Sequence, residues 1–198
     1  EGHDDLEIDQ ALQLVQGAII GGEVFPGRAV ARIAATVAEG NVRCHLATMA
    51  RLGVAYDLLP HESDILHLGF WQRAFDLLRE TGAISLEEGG TNAGCWVLSL
   101  ATSPEFADMD APDKILGRSN GTVTYTGKDI AYQLWKFGLL GRDFDYRRLD
   151  WTPRPALYET WSTCAGGGES DHPAFGEGST VYNVIDARQS YPQRVVRQ

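Results

Sequence analysis

The sequence RSNGTVTYTGKDIAYQLWKF, residues 118–137, carries turn, strand and helix signals in direct succession. Residues 119–121 suit a tight turn, because Asn and Gly tolerate positive φ angles. The β-branched and aromatic residues 122–125 predict a short strand, and the following Thr-Gly-Lys predicts its end. From Asp129 onward, apolar side chains recur at helical spacing. The sequence therefore predicts a strand–turn–helix unit with Tyr125 and Asp129 at the mouth of the helix.

A second predicted strand ends close to another polar side chain. Residues 180–187, TVYNVIDA, predict a buried strand, and Gln189 follows at its carboxyl end. Ligands of α/β proteins bind at such strand ends, so Tyr125, Asp129 and Gln189 form a candidate binding site. Each residue also has a purely structural explanation. Asp129 complements a helix dipole, Tyr125 packs in the core, and Gln189 satisfies backbone groups.

Helical and strand patterns alternate through the rest of the chain, which favours an α/β fold. Residues 142–154 are polar and charged and end near a proline, residues 155–180 are rich in glycine and predict a flexible loop, and Val195-Val196 suggests a last helix. The remaining helical patterns cover residues 1–20, 28–52 and 61–81, where 28–52 is one helix or two helices divided at Gly40-Asn41 and Ser63 is the N-cap of the last. A turn is predicted at 25–27. Strands are predicted over 54–59, 83–86, 94–100 and 114–117, and residues 83–100 form a hairpin.

Composition limits the classes of function. The chain has 198 residues, 43% of them hydrophobic, which fits one compact domain or one domain with a large insertion. No apolar run is long enough for a membrane span, and no signal peptide opens the sequence. The net charge of −10 argues against a broadly basic nucleic-acid surface. The clusters at Arg147–Arg148 and around Arg188 are either solvated surface or sites of local binding.

Metal and covalent chemistry find little support in the sequence. Three isolated cysteines lack any CxxC spacing, which favours reduced thiols in a cytosolic protein over disulfides or a zinc site. The five histidines form neither an HxH nor an HExxH pattern. Residues 166–168 are a triple glycine without the flanking residues of a phosphate loop, and no serine or cysteine lies in a nucleophile elbow.

Several segments resemble arginyl-tRNA synthetase, a class I aminoacyl-tRNA synthetase. The most specific is the central one, since the family has a comparable RSDGT…Y…RD run and a later strand that ends in DxRQ. The matching segments occur in the family's order: FPGRAVARIA (25–34), YDLLPHESDIL (56–66), FWQRAFDLLRETGAI (70–84), NAGCWVL (92–98), PDKILGRSNGTVTYTGKDIAYQLWKF (112–137) and VIDARQSYPQ (184–193).

This resemblance implies a role for the candidate binding site. In the family, a Tyr and an Asp four residues apart, together with the Gln of the later strand, line the arginine pocket, and Tyr125, Asp129 and Gln189 match them. Such residues suit a guanidinium group, which prefers a bidentate carboxylate partner and an aromatic surface or hydroxyl. No catalytic residue and no metal ligand is carried over.

The resemblance also implies the architecture. The expected fold is α/β, namely a partial Rossmann-like class I catalytic core with helical and β-hairpin insertions. Residues 1–198 are expected to be part of a catalytic domain. Residues 1–110 would form its helical and hairpin insertion region, and residues 111–198 the Rossmann-like portion with the arginine pocket.

The function implied is that of a cytoplasmic arginine–tRNA ligase, with L-arginine, ATP (accompanied by Mg²⁺) and tRNA(Arg) as its partners. The chain contains neither HIGH nor KMSKS, the two ATP signatures of class I synthetases, and it has Tyr191-Pro192-Gln193 where the family commonly has a His. We therefore expect the isolated chain to be inactive. A fragment of the catalytic domain, a shortened, non-catalytic arginine-binding or regulatory paralogue, and an interaction scaffold whose pocket has decayed all remain open.

Overall fold

The computed structural model describes residues 26–101, 103–106, 113–150 and 159–198. The predicted helix over residues 1–20 lies outside them. The described elements mix helices and short strands, which confirms the α/β class. In chain order they are α1 (Pro26–Arg51), β1 (Leu58–Leu59), α2 (Glu62–His67), α3 (Phe70–Glu80), β2 (Ile84–Leu86), β3 (Trp96–Leu98), β4 (Lys114–Gly117), α4 (Tyr125–Lys136), β5 (Asp145–Arg148), β6 (Trp161–Cys164) and α5 (Ser190–Val196), with 3-10 turns at Gly90–Asn92, Pro104–Phe106 and Ala187–Gln189.

The chain divides into two compact units. The first comprises Glu1–Leu59 and Arg148–Ser162, and the second comprises Pro60–Arg147 and Thr163–Gln198. Every residue of the candidate site lies in the second unit. The expected division near residue 110, between an insertion region and a Rossmann-like portion of a larger catalytic domain, stays a prediction.

Helix α1 is the main described element of the first unit. It runs unbroken through Gly40, so the pattern over residues 28–52 corresponds to one helix. Pro26, expected in a turn, is instead its first residue, because proline suits the first helical position, where no N–H partner is needed. The strand expected over 54–59 is confined to β1, where Leu58 lies opposite Trp161 of β6 in a parallel pair.

Strand β6 replaces part of the loop predicted over residues 155–180, and β5 lies in the polar segment 142–154, for which the sequence predicts no element. They belong to a three-stranded sheet of order β1-β6-β5. All four residues of β6 are buried, whereas in β5 only Tyr146 is. The loop prediction was wrong here because strands this short, with Ser, Thr, Asp and Arg among their residues, carry too few apolar positions to show a period.

The second unit is built on an antiparallel sheet of order β2-β3-β4. The predicted hairpin is confirmed by the pairing of Ile84 with Leu98, and the predicted strand at 114–117 coincides with β4. One cluster of its core contains buried Ile84, Leu116 and Ile130, so α4 packs on the sheet through its apolar face. Side chains of α3, among them Trp71, pack against the same core.

The helix predicted over residues 61–81 is two helices, α2 and α3. Gly69 separates them with a φ of 68°, a left-handed conformation that favours glycine. The Arg142 guanidinium donates a 3.2 Å hydrogen bond to the Leu68 carbonyl oxygen at this break. His61, and not Ser63, is the N-cap residue of α2, with its backbone extended.

Helix α4 begins at Tyr125, so the strand predicted over residues 122–125 is wrong. Only Val123 forms a β-bridge, with Gly117. The Thr124 hydroxyl caps the helix by accepting a hydrogen bond from the Gly127 N–H. Gly127 was interpreted as a break, but it lies inside the helix at a close contact. A Cβ atom there would lie 2.9 Å from the Trp71 side chain.

The buried strand predicted over residues 180–187 is also wrong. Residues 181–186 have no regular structure, and Tyr182 and Val184 are 88% and 100% exposed. A strand needs a partner edge for its N–H and C=O groups. Within the described residues no strand pairs with this segment, so its high β-propensity alone does not fold it. The short helix suggested by Val195-Val196 is α5, which ends at Val196.

Candidate functional site

Tyr125 and Asp129 are brought together by α4. They are one helical turn apart, and residues at this spacing share a helix face. The Tyr125 side chain is 62% exposed, and Asp129 also faces solvent. Tyr125 therefore does not pack in the core. Thr124 provides the helix cap and the first turn contains no acidic residue, so the dipole explanation of Asp129 does not apply either.

The Asp129 carboxylate has an unusual electrostatic environment. Among the residues that the structure describes, no group donates a hydrogen bond to it. Partial burial raises the pKa of Asp129 above its ordinary value, and the neighbouring Glu62 carboxylate raises it further, whereas Lys136 and Lys128 lower it. The net upward shift means that the negative charge is incompletely compensated. A cation placed at this carboxylate would relieve that imbalance.

Lys128 and Glu62 lie beside the two candidate residues, and sequence reasoning missed their pairing. The Lys128 Nζ atom lies 2.6 Å from Glu62 Oε1 and 4.6 Å from the centroid of the Tyr125 ring. Lys128 is only 7% exposed, whereas Glu62 is about half exposed. The sequence contained one signal for the contact between Lys128 and Tyr125, namely their spacing of three residues. This spacing places two side chains side by side only within a helix, and the sequence did not predict that the helix begins at Tyr125.

A buried network fixes the start of α2, and with it the position of Glu62. The His61 N–H donates a 2.8 Å hydrogen bond to Thr163 Oγ1, and this hydroxyl donates a 2.6 Å bond to Asp64 Oδ2. Asp64 is 5% exposed and Thr163 is 1% exposed. Hydrogen bonds between buried groups are costly to break, because the partner left behind is unsatisfied. Glu62 is therefore carried on a well-anchored turn.

Gln189 lies on a different element, the 3-10 turn that precedes α5. It is exposed, and its N–H donates a 2.9 Å hydrogen bond to the Asp186 carbonyl oxygen. No contact joins Gln189 to Tyr125 or Asp129 among the interactions of these described residues. The structure thus unites two of the three predicted residues, and the membership of Gln189 in a shared site stays a prediction.

A chain of polar contacts links α5 to α4 close to Gln189. Gln193, one turn after Gln189, accepts a 2.8 Å hydrogen bond from Asn183 Nδ2. Asn183 in turn accepts a 3.1 Å bond from Lys136 Nζ at the end of α4. Helices α4 and α5 are therefore neighbours in the second unit. This arrangement is compatible with a site that includes residues from both helices.

The groove between these helices is distinct from the candidate site. It has a volume of about 790 Å³ and is lined by residues such as Phe137, Val181 and Val196. None of the three candidate residues lines it. Within the described ranges, no group of three or more His, Cys, Asp or Glu side chains is arranged to hold a metal ion. The described helices also include none with the length and apolar character that crossing a membrane requires.

Comparison with known proteins identifies relatives of the chain. No family model matches it. The arginine–tRNA ligase of Thermococcus kodakarensis is 39% identical over 168 residues, which are 85% of this chain and 25% of the relative. The corresponding enzyme of Pyrococcus abyssi is 42% identical over 81% of this chain and 24% of its own length. That of Deinococcus radiodurans is 34% identical over 96% of this chain and 29% of its own.

A solved structure agrees with these sequence matches. The arginyl-tRNA synthetase of Thermus thermophilus superposes with a TM-score of 0.65 and 31% sequence identity, over 86% of this chain and 29% of that protein. The chain is therefore related to the aminoacyl-tRNA synthetases. More narrowly, it is homologous to part of arginine–tRNA ligase, as its motifs indicated, and it spans about a quarter of the length of the curated relatives it matches.

Proposed function

We propose that this chain is the amino-acid-recognising part of an arginine–tRNA ligase. In this role it binds L-arginine for ATP-dependent activation and transfer to tRNA(Arg). The observation that carries the proposal is the Asp129 carboxylate, which meets no hydrogen-bond donor among the described residues and lies one helical turn from the exposed Tyr125 ring. The names of the homologues supply the substrate class.

The chemistry of these two side chains suits a guanidinium group. The carboxylate can accept two parallel charge-assisted hydrogen bonds, a geometry that the planar guanidinium matches and an ammonium does not. The Tyr125 ring offers a flat surface or a hydroxyl to the same group. Gln189 would add a neutral acceptor from the α5 side. The upward-shifted pKa of Asp129 adds to the argument, because a bound cation stabilises the ionised carboxylate.

ATP, its Mg²⁺ ion and tRNA(Arg) enter the proposal as partners of a complete, cytoplasmic ligase. Reactions of class I synthetases depend mainly on positioning and electrostatic stabilisation, with little covalent participation by the protein. Tyr125, Asp129 and Gln189 would hold the amino acid in position for attack on ATP. The chain contains neither HIGH nor KMSKS, so the phosphate-binding contribution is not assigned to its residues.

A second candidate is a non-catalytic arginine-binding or regulatory protein derived from a synthetase core. It is favoured by Tyr191-Pro192-Gln193, which replaces the histidine common in the family. Both candidates require arginine binding, so binding tests what they share. ATP–pyrophosphate exchange separates them.

The direct test is calorimetric titration of the chain and of its Asp129→Asn variant with L-arginine. The substitution keeps the size of the side chain but removes its charge and one acceptor. Bound arginine would cover the Asp129 carboxylate, and loss of one partner from a buried, hydrogen-bonded charge pair costs about 2–5 kcal/mol, or about thirty-fold to several thousand-fold in affinity. We expect binding to fall below detection in Asp129→Asn.

Asp76→Asn is the matched control, because Asp76 is a partly exposed helical carboxylate that pairs with Arg79 on α3. It should bind arginine as the unmodified chain does. Circular dichroism verifies that each variant is folded. Equal arginine affinity in the unmodified chain and in Asp129→Asn would refute the proposal.

A further inference from the structure

Asn120, in the turn between β4 and α4, differs chemically from the other asparagines of the chain. Four asparagines occur in the sequence, and only Asn120 is followed by glycine. The other three precede valine or alanine: Asn41, Asn92 and Asn183. A Cβ atom on the following residue crowds the backbone nitrogen, and glycine has none. Exposure does not distinguish Asn120, because Asn41 and Asn183 are exposed as well.

The turn folds the Asn120 side chain back over the next peptide unit. The Thr122 N–H donates a 3.0 Å hydrogen bond to Asn120 Oδ1, so the side-chain amide spans Gly121. Gly121 has a φ of 83°, a left-handed conformation that favours glycine. Among the described residues, a Cβ atom at Gly121 would meet nothing within 4 Å. The peptide unit between these residues is therefore open to its own side chain and to water.

We propose that Asn120 is a site of spontaneous deamidation in the folded chain. The Gly121 nitrogen loses its proton to a solvent base and attacks Asn120 Cγ, which closes a succinimide ring. The bond between Cγ and Nδ2 breaks, and Nδ2 takes up a proton and leaves as ammonia. Water then opens the ring at either carbonyl carbon. Cleavage between the nitrogen and Cγ gives aspartate, and cleavage between the nitrogen and the main-chain carbonyl carbon gives isoaspartate.

Two backbone hydrogen bonds act on this reaction in opposite directions. The Thr122 N–H already contacts Asn120 Oδ1, the atom on which negative charge develops during the attack, and a placed N–H donor stabilises such charge. The Gly121 N–H donates a 2.9 Å hydrogen bond to the Arg118 carbonyl oxygen, which has to open first. Residues 118–122 are exposed, so water replaces this bond at little cost.

Both products change the turn that leads into α4. Aspartate keeps the backbone, and its carboxylate accepts a stronger, charge-assisted hydrogen bond from the Thr122 N–H. Isoaspartate inserts a methylene group into the main chain, within a turn that is closed by the 2.9 Å hydrogen bond from the Arg118 N–H to the Thr122 carbonyl oxygen. The inference concerns the chemistry of this turn and is independent of the proposed function.

Peptide mapping of the aged chain tests the inference. The chain is incubated in mildly alkaline buffer and digested with trypsin, which releases Asn120 in the peptide Ser119–Lys128. Mass spectrometry and co-elution with synthetic peptides that contain aspartate or isoaspartate identify the products. We expect Asn120 to react at least about ten-fold faster than Asn41 or Asn183, a difference of about 1.4 kcal/mol in activation free energy. Equal rates at the three positions would overturn the inference.

Variants and a denatured sample provide the controls. Asn120→Gln keeps an amide but requires a larger ring, so the acidic species that ion exchange detects in the aged chain should not accumulate. Asn41→Gln, on the exposed face of α1, should accumulate it at the unmodified rate. An equal rate in Asn120→Gln would contradict the assignment. Circular dichroism verifies that the ageing chain stays folded. Conversion of Asn120 in denaturant alone, with none in the folded chain, would show that the native turn blocks the reaction and would overturn the inference.

Discussion

Tyr125 and Asp129 are four residues apart, and this spacing has a defined geometry only inside a helix. The sequence indicated the pair, and the structure places both on one face of α4. The adjacent ion pair between Lys128 and Glu62 was not predictable, because it joins two helices that are distant in sequence. Gln189 is an intermediate case. Its place after a TVYNVID segment was evident, but its orientation depends on a strand that the described residues do not form.

Asp129 leads to a prediction about stability. Its pKa is higher in the folded chain than the ordinary value of 3.8, so the folded state binds the proton more tightly than the unfolded state does. The ionised carboxylate therefore destabilises the fold at neutral pH; this effect shrinks as the pH falls through the folded pKa and is gone below the ordinary pKa of 3.8, where both states are protonated. We expect Asp129→Asn to be at least as stable as the unmodified chain at pH ~7.

Thermal unfolding of the two proteins, monitored by circular dichroism at several pH values, checks this prediction. The difference between their melting temperatures should shrink as the pH approaches about 4, where the unmodified side chain also becomes neutral. A clear loss of stability in Asp129→Asn at neutral pH would contradict it, and would indicate a structural role for the carboxylate.

Among the secondary-structure elements, some boundaries could be predicted from the sequence, whereas others, such as the start of helix α4, could not. Strand β4 and the hairpin β2–β3 were evident from β-branched and aromatic residues between turn signals. The start of α4 was missed because Gly127 resembles a helix breaker, whereas its missing side chain serves the packing against Trp71. Residues 180–187 were predicted to form a strand because of their high β-propensity. Propensity alone does not provide the neighbouring strand with which such a segment must pair.

Gly127 therefore provides a prediction about how α4 docks. A methyl group at this position would lie 2.9 Å from the Trp71 side chain, 3.0 Å from Val123 Cγ1 and 3.1 Å from the Leu116 carbonyl oxygen. Relief of such overpacking requires side-chain or backbone shifts, so Gly127→Ala should lower the free energy of unfolding by about 1–3 kcal/mol. Denaturant titration measures the change.

Gly40 is the matched control, because it also lies within a helix but a Cβ atom there would meet nothing within 4 Å. Alanine is the better helix former by about 0.5–1 kcal/mol, so Gly40→Ala should stabilise the chain slightly or leave it unchanged. If both substitutions had the same effect, the tight contact at Gly127 would not control the docking of α4.

At the scale of the chain as a whole, this sequence spans about a quarter of the length of its relatives. It contains neither HIGH nor KMSKS. We therefore predict that the isolated chain does not catalyse arginine-dependent ATP–pyrophosphate exchange. Exchange at about one to ten per second, a common range for enzymes, would show that its residues bind the phosphates of ATP after all. Heat-denatured protein supplies the background rate.

The central claim is that Tyr125, Asp129 and Gln189 together recognise arginine, and NMR can locate the ligand on the whole chain. Backbone amide resonances would be followed during titration with L-arginine, with L-lysine as the comparison. We predict that the shifts concentrate at these three residues and their neighbours in sequence, and that they vanish in Asp129→Asn. Shifts centred instead on the groove at Phe137, Val181 and Val196, or none at saturating arginine, would contradict the account.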